Sequence, residues 1–470
     1  MRRHLLSPTR PALVGLLALA AVWPAQAADT PISILFVGNS YTFGRLDPVL
    51  TYNAANVHDL TRPQGPLHGG RNPALSFTTG APFTNLTGTN SHPVGTMLPA
   101  TSTLPIREAN SFSPHFHTAG SFQGAWGGVP GIFKMMTDQA QLNYEVSLST
   151  RNAASLRGHF LNTANSNWDL RGNIDNKKWN KVVLQDQSDE ALAPRTVDGV
   201  ALGSNYPSVQ AYVDRIEDWV HQGSGYTYTE QSMFTDMYGS VEACQAAGGG
   251  NFCTNTNERT IPTNVNANAS AEIYLQQTWA RPNLINPPGT STPNPRTGDA
   301  IYATTAAPSY FPSLEAMTDE MTVAMNNVAA FAGTDASGGI AGVIPVGQAF
   351  LRAVRDGLAT RDMYAKGAET DGLIDLWFND GTHASVHGSY LSALTLFGSI
   401  TGLDPQSLGR HEQAAFDLGI SPDDAWALQR VAALELGFAA AVPEPGQAVL
   451  LAAGLLGLAG WRRARGRQGR

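Results

Sequence analysis

The sequence predicts an α/β protein built on a parallel sheet with helices on both faces. Two observations carry this. Short apolar runs of strand length recur along the chain, and segments with apolar residues at helical spacing lie between them. No fixed-period repeat is present, which argues against a solenoid or propeller. The chain has 470 residues, 42% of them hydrophobic, enough for one large core or two to three average domains.

The first strand is read at Ile32-Ser33-Ile34-Leu35-Phe36-Val37, an apolar run closed by Gly38. Further strands are read at Tyr144–Leu148, Lys181–Leu184, Glu272–Leu275 and Ile340–Val346. Helices are predicted over Val209–Val220, with Pro207 near the start, and over Leu314–Phe331, Gln348–Leu358 and Val386–Ile400. The connections are uneven. Residues 61–128 are rich in Thr, Ser, Gly, Pro and Asn and show little periodicity, and residues 223–268 and 282–300 look similar. They read as insertions on one scaffold spanning 28–441, functional or mobile as long segments in compact folds are.

The net charge is −8, yet much of the positive charge sits at the two ends. Without Arg2, Arg3, Arg10, Arg462, Arg463, Arg465, Arg467, Arg470 and Glu444, the middle keeps 22 basic and 37 acidic residues, a net −15. An acidic body is a poor nucleic-acid binder, because phosphate contacts need clustered Lys and Arg. Residues 1–27 read as a secretory signal peptide: a basic start, an apolar Leu13–Val22 run, and small residues at Ala25 and Ala27. At the other end, Val442-Pro443-Glu444-Pro445 precedes an apolar stretch, 448–461, and an Arg-rich tail. This three-part order resembles the PEP-CTERM sorting signal. The resemblance implies export, transient membrane contact through 448–461, and processing by signal peptidase and an exosortase-type enzyme. It also implies a Gram-negative bacterium that makes exopolysaccharide. In an oxidising compartment Cys244 and Cys253, in a Gly-rich stretch, read as a local disulfide stapling a surface loop.

Gly38-Asn39-Ser40-Tyr41-Thr42 follows the first strand directly. Ligands bind at the carboxyl ends of strands in open parallel sheets. Ser40 would lie there at the start of the next helix, whose N–H groups could stabilise an oxyanion; a capping role for Ser40 is the alternative. Gly38 would let the backbone turn sharply. Asp380-Gly381-Thr382-His383 forms a second cluster, in which a tight turn could aim the carboxylate and imidazole into one site. His383 and His387 could instead share a helix face as metal ligands. Trp126, Trp179, Trp279 and Trp377 could form a sugar-stacking surface or pack in the core. Arg281 could bind a substrate carboxylate or a loop carbonyl.

A strand, then Gly-Asn-Ser, then a late Asp-x-x-His resembles the SGNH (GDSL-type) hydrolases, in a branch whose first motif reads Gly-Asn-Ser. Asn152-Ala153-Ala154-Ser155-Leu156 with His159 resembles its second motif and Val182-Val183-Leu184-Gln185-Asp186-Gln187-Ser188 its third. Leu275-Gln276-Gln277-Thr278-Trp279-Ala280 and Ile344-Pro345-Val346-Gly347 resemble its later strand ends, and 380–391 its last motif. The resemblance spans roughly residues 32–403. It implies a three-layer α/β/α, flavodoxin-like fold with about five parallel strands. It implies Ser40 as nucleophile, His383 as general base and acid, and Asp380 as the residue orienting it. The oxyanion would be held by the N–H groups of Ser40 and Ala153, near Asn152, with a side-chain amide from Gln185 or Gln187 standing where the family has Asn. No cofactor or metal is implied. The expected substrate is an acylated small molecule or polysaccharide, attacked through an acyl-enzyme. A silent binding scaffold and an acyltransferase are the alternatives.

Overall fold

Central strand β1 (Ile32–Gly38) is buried on both faces, with Ile34 to Val37 inaccessible to solvent, as expected of an unbroken apolar run inside a parallel sheet. It lies in a computed structural model that describes residues 30–45, 48–60, 126–162, 170–286, 308–365, 367–378 and 380–438. The segments 1–27 and 442–470, and nearly all of 61–128, fall outside the described residues. The further strands, in chain order, are β2 (His58–Asp59), β3 (Tyr144–Thr150), β4 (Lys181–Leu184), β5 (Thr196–Val197), β6 (Val200–Ala201), β7 (Tyr226–Thr229), β8 (Glu258–Ile261), β9 (Glu272–Gln276) and β10 (Gly342–Ile344).

Six of these form one sheet in the order β10-β9-β4-β1-β3-β2, and every neighbouring pair is parallel. The expected strands are all present. The sixth, β2, adds two residues at one edge; a strand so short has no pattern to read in the sequence. Without β2 the order is the flavodoxin-like one, in which the chain reverses direction across the sheet at the first strand. The carboxyl end of β1 therefore opens onto the crevice where ligands bind in this architecture.

Helices cover both faces. On one, Gly128–Gln139, Val346–Arg355, Val386–Thr401 and Pro422–Glu435 pack together, with Gly128–Gln139 against β3. On the other, Leu156–Leu161, Tyr206–His221 and Leu314–Ala332 pack together, with Leu156–Leu161 against β1. Most begin at a side-chain cap. Ser155, Asn205, Ser313, Ser385 and Ser421 each accept a hydrogen bond from the backbone N–H three residues on. Among the described residues no helix is long and apolar enough to cross a membrane.

Three departures from the sequence reading have local causes. The predicted 340–346 strand stops at Ile344, because Pro345 stands at the N-cap of the next helix. That helix starts at Val346 and ends at Arg355, just before Gly357 at φ +70°. No helix is read in the sequence over Gly128–Gln139, whose glycines lower its helical propensity. They are there for contact: a Cβ on Gly127 or Gly131 would sit 1.6 or 2.2 Å from the Tyr52 carbonyl oxygen. Residues 223–268 are built rather than irregular. They hold the antiparallel β7–β8 pair and, between its strands, the helices Glu230–Tyr238 and Val241–Ala246. Cys244 and Cys253 are joined by a disulfide with Cα atoms 5.9 Å apart, and both are fully buried rather than on a surface loop.

Candidate active site

Gly38 ends β1 with an ordinary extended backbone, so its role is space rather than turning. A Cβ there would stand 2.2 Å from Thr42 Oγ1 and 2.6 Å from Gln185 Oε1. Asn39, buried, follows as an N-cap, its Oδ1 accepting from the Tyr41 N–H at 3.1 Å. Ser40 begins a helix of one turn, Ser40–Phe43. The helix expected after Ser40 is present but spans only Ser40–Phe43, so little macrodipole stands behind the serine. Individual N–H groups are left to do that work.

The last motif closes on Ser40 from 343 residues away. Gly381 takes φ +63°, and its amide donates to the Phe378 carbonyl at 2.9 Å. Asp380 Oδ1 then accepts from the Thr382 and His383 N–H groups, both at 2.9 Å. Its Oδ2 accepts from His383 Nδ1 at 2.6 Å, and His383 Nε2 lies 2.8 Å from Ser40 Oγ. With Nδ1 protonated, Nε2 is an acceptor aimed at the hydroxyl. Burial pushes the Asp380 carboxyl up, but the His383 ring and the two N–H donors outweigh it and hold the group well below the usual carboxylate range. Ser40 and His383 are 6% and 9% exposed, so the pair is shielded from bulk solvent but not sealed.

Trp279 steadies this turn. It stacks between Tyr41 and Phe350, with centroids 4.2 and 4.7 Å away, and its Nε1–H donates to the Thr382 carbonyl at 2.9 Å. Tyr41 also meets the His383 ring edge-on at 5.6 Å. Trp126, Trp179, Trp279 and Trp377 are all buried and pack in the core, so they form no sugar-stacking surface. Arg281 is committed within the chain: its Nη1 donates to Ser188 Oγ and Asp189 Oδ2, both at 3.2 Å. His387 faces Asp424 at 3.7 Å and precedes no shared face with His383, which lies outside the helix that starts at Val386.

The turns after β3 and β4 complete the surround. The Arg151 N–H and His159 Nε2–H both donate to the Gly38 carbonyl, at 3.1 and 2.8 Å. Burial pushes the His159 imidazole down to about 4, which keeps it neutral. Asn39 Nδ2 donates to the Ala154 carbonyl and to Gln187 Oε1, both at 3.1 Å. Gln185 is not free to serve an oxyanion. Its Oε1 accepts from the Asn39 N–H and Thr42 Oγ1, both at 2.9 Å, and its Nε2 donates to the Asp186 carbonyl. Gln187 is half-buried, with its Oε1 held by Asn39. Ala153 sits in the left-handed region at φ +54°, where Gly is unstrained. Among the described residues, the Ser40 and Ala153 N–H groups donate to no protein acceptor.

Reading by residue type singled out Ser40, Asp380 and His383, which meet, and Asn152, Ala153, Gln185 and Gln187, which line the neighbouring turns. It gave Asn39 and Asp186 no role of their own within their motifs, and it read Trp279 only as a stacking or core residue, not as the donor to the Thr382 carbonyl. Each acts through a partner on a turn or helix start distant in sequence, and a linear sequence carries no sign of that.

No family model and no curated protein matches this chain. Among solved structures it is similar to a DUF4886 family protein from Bacteroides uniformis, at 12% identity, covering 89% of this chain and 99% of that one with a TM-score of 0.35. It is also similar to a "putative SGNH hydrolase" from Slackia heliotrinireducens, at 15% identity, covering 79% and 100%, TM-score 0.29. The fold assignment rests on the strand order and layers described above.

Proposed function

We propose that this protein is a serine ester hydrolase of the SGNH type. The observation that supports the reading is the hydrogen-bonded series Ser40 Oγ–His383–Asp380, at 2.8 and 2.6 Å, at the carboxyl end of β1. Ser40 Oγ attacks the ester carbonyl while His383 Nε2 takes its proton. Asp380 holds the Nδ1–H and stabilises the imidazolium. The developing oxyanion accepts from the Ser40 and Ala153 N–H groups, with the Gln187 amide as a third donor. His383 returns the proton to the departing alcohol. Water then attacks the acyl-enzyme, with His383 again as base, to release the acid and regenerate Ser40.

The terminal segments support a location outside the cytoplasm, reached through signal peptidase and an exosortase-type enzyme. On that basis the substrate is an acylated, for example acetylated, carbohydrate or exopolysaccharide. The test is turnover of p-nitrophenyl acetate by the wild type, Ser40→Ala and His383→Ala, with folding checked by circular dichroism. Turnover falling by about three powers of ten or more in both variants is expected. Wild-type turnover no greater than that of the variants, on short and medium acyl chains, rejects the esterase. A fluorophosphonate probe that labels Ser40 without such turnover points to an acyltransferase.

A further inference from the structure

Asp186 is fully buried directly behind the site and touches all three turns around Ser40. Its Oδ1 accepts from the Leu156 N–H at 2.8 Å, which caps the helix after β3, and from the Gln187 N–H at 2.7 Å. Its carbonyl accepts from Asn39 Nδ2 at 3.5 Å, on the turn after β1. Its Oδ2 is buried with no N–H donor, and so is Glu190 Oε2, four residues on. No donor among the described residues reaches either oxygen, and each carboxyl lies near enough to act on the other's titration. Two buried carboxylates repel, and neither oxygen has another donor. One proton satisfies both, as an acid O–H on Glu190 donating to the Asp186 carboxylate.

We propose that Asp186 and Glu190 share one proton in a buried carboxyl pair that holds the three turns around Ser40 in place, making both of them positioning residues for the oxyanion side. The role in catalysis rests on the hydrolase reading; the pair itself does not. The charged groups facing Glu190 are Asp186, Asp189 and Arg157. Asp189 is paired with Arg281 at 3.2 Å. Arg157 is committed to Glu230, Nε to Oε1 at 2.6 Å and Nη2 to Oε2 at 2.9 Å, so its charge offsets burial and the neighbouring carboxylates at Glu190 only in part. The turn itself is tight: the Glu190 N–H donates to the Gln187 carbonyl at 3.2 Å, and the Glu190 carbonyl accepts from the Asn205 N–H at 2.8 Å. Ionising Glu190 sets two negative charges against each other within that turn, and Gln187 moves with it. Burial raises both carboxyls, and the Asp186 charge raises Glu190 further. The loss therefore falls on the alkaline side.

The test is the rate at which a fluorophosphonate labels Ser40 in the full chain, measured between about pH 6 and pH 11, one unit above the value of about 10 to which Glu190 is raised. Wild type is expected to lose about tenfold in rate at the alkaline end. E190Q, which keeps an N–H donor toward Asp186, is expected to lose that fall. E190A, which keeps no donor, is expected to label about tenfold to a hundredfold more slowly at every pH. Superimposable wild-type and E190Q profiles overturn the proposal. If wild-type Ser40 is not labelled at any pH, the hydrolase reading fails, and the pair is decided by infrared spectroscopy. A protonated-carboxyl band at neutral pH in wild type, missing from E190Q, supports the shared proton. Absence of that band from wild type overturns it.

Discussion

At the scale of single residues, the chemistry of the donors decides what each position tolerates. Asn39 donates from Nδ2 to the Ala154 carbonyl and Gln187 Oε1, both acceptors. An aspartate there has nothing to donate and faces oxygens with a charge. Asn39→Asp is therefore expected to destabilise the fold by about 2–3 kcal/mol in denaturant titrations, and to slow Ser40 labelling. Ala153 makes the opposite case. At φ +54° its Cβ is strained, and Ala153→Gly is expected to stabilise by about 1 kcal/mol without loss of the amide donor. A destabilised glycine variant would show that the strain is absent.

At the scale of elements, two devices hold the site's walls. Trp279 fixes the Asp380–His383 turn through its indole N–H while its rings stay stacked. Trp279→Phe keeps most of the stacking and drops the hydrogen bond. It is expected to lower kcat about tenfold with KM nearly unchanged, since only the placement of His383 is affected. The other device is the 226–261 segment. Glu230 accepts from Arg157 on the helix after β3, Phe252 lies 4.0 Å from the same guanidinium, and the Cys244–Cys253 disulfide closes the segment next to Phe252. Replacing both cysteines by serine is expected to cost about 2.5 kcal/mol on loop-closure grounds. Hydrogen exchange should accelerate in 226–261 before it does in β1 or β4.

At the scale of the whole molecule, buried titratable groups shape how stability follows pH. His159 is neutral in the fold because burial pushes its imidazole down to about 4, against about 6.5 in the unfolded chain. Between those values the unfolded chain binds the extra proton, so stability rises with pH across that window and is lost as pH falls through it. The loss is about 3 kcal/mol. His159→Gln keeps a donor for the Gly38 carbonyl and does not titrate. Its stability relative to wild type should improve by that amount from pH 7 to pH 4, measured by chemical denaturation. A constant difference across that range would rule His159 out as the source.

Some of this was legible in one dimension. β1 and β4 were readable to within a residue because a strand buried on both faces must be apolar throughout. The long helices were readable from their spacing, and Gly38-Asn39-Ser40 and Asp380-Gly381-Thr382-His383 from their residue types. These patterns arise from chemistry within a few residues along the backbone. The sequence by itself thus determined the five longer strands of the central sheet, the helices around Val209–Val220, Leu314–Phe331 and Val386–Ile400, and which side chains could carry acyl chemistry. Tertiary structure alone decided the strand order, the burial of the four tryptophans, and the spending of Gln185 on Asn39 and Thr42. It alone brought Ser40 within 2.8 Å of His383 and set Asp186 among three turns. Those outcomes depend on which distant segments close on one another, and on the space left between them, and neither is written in local pattern.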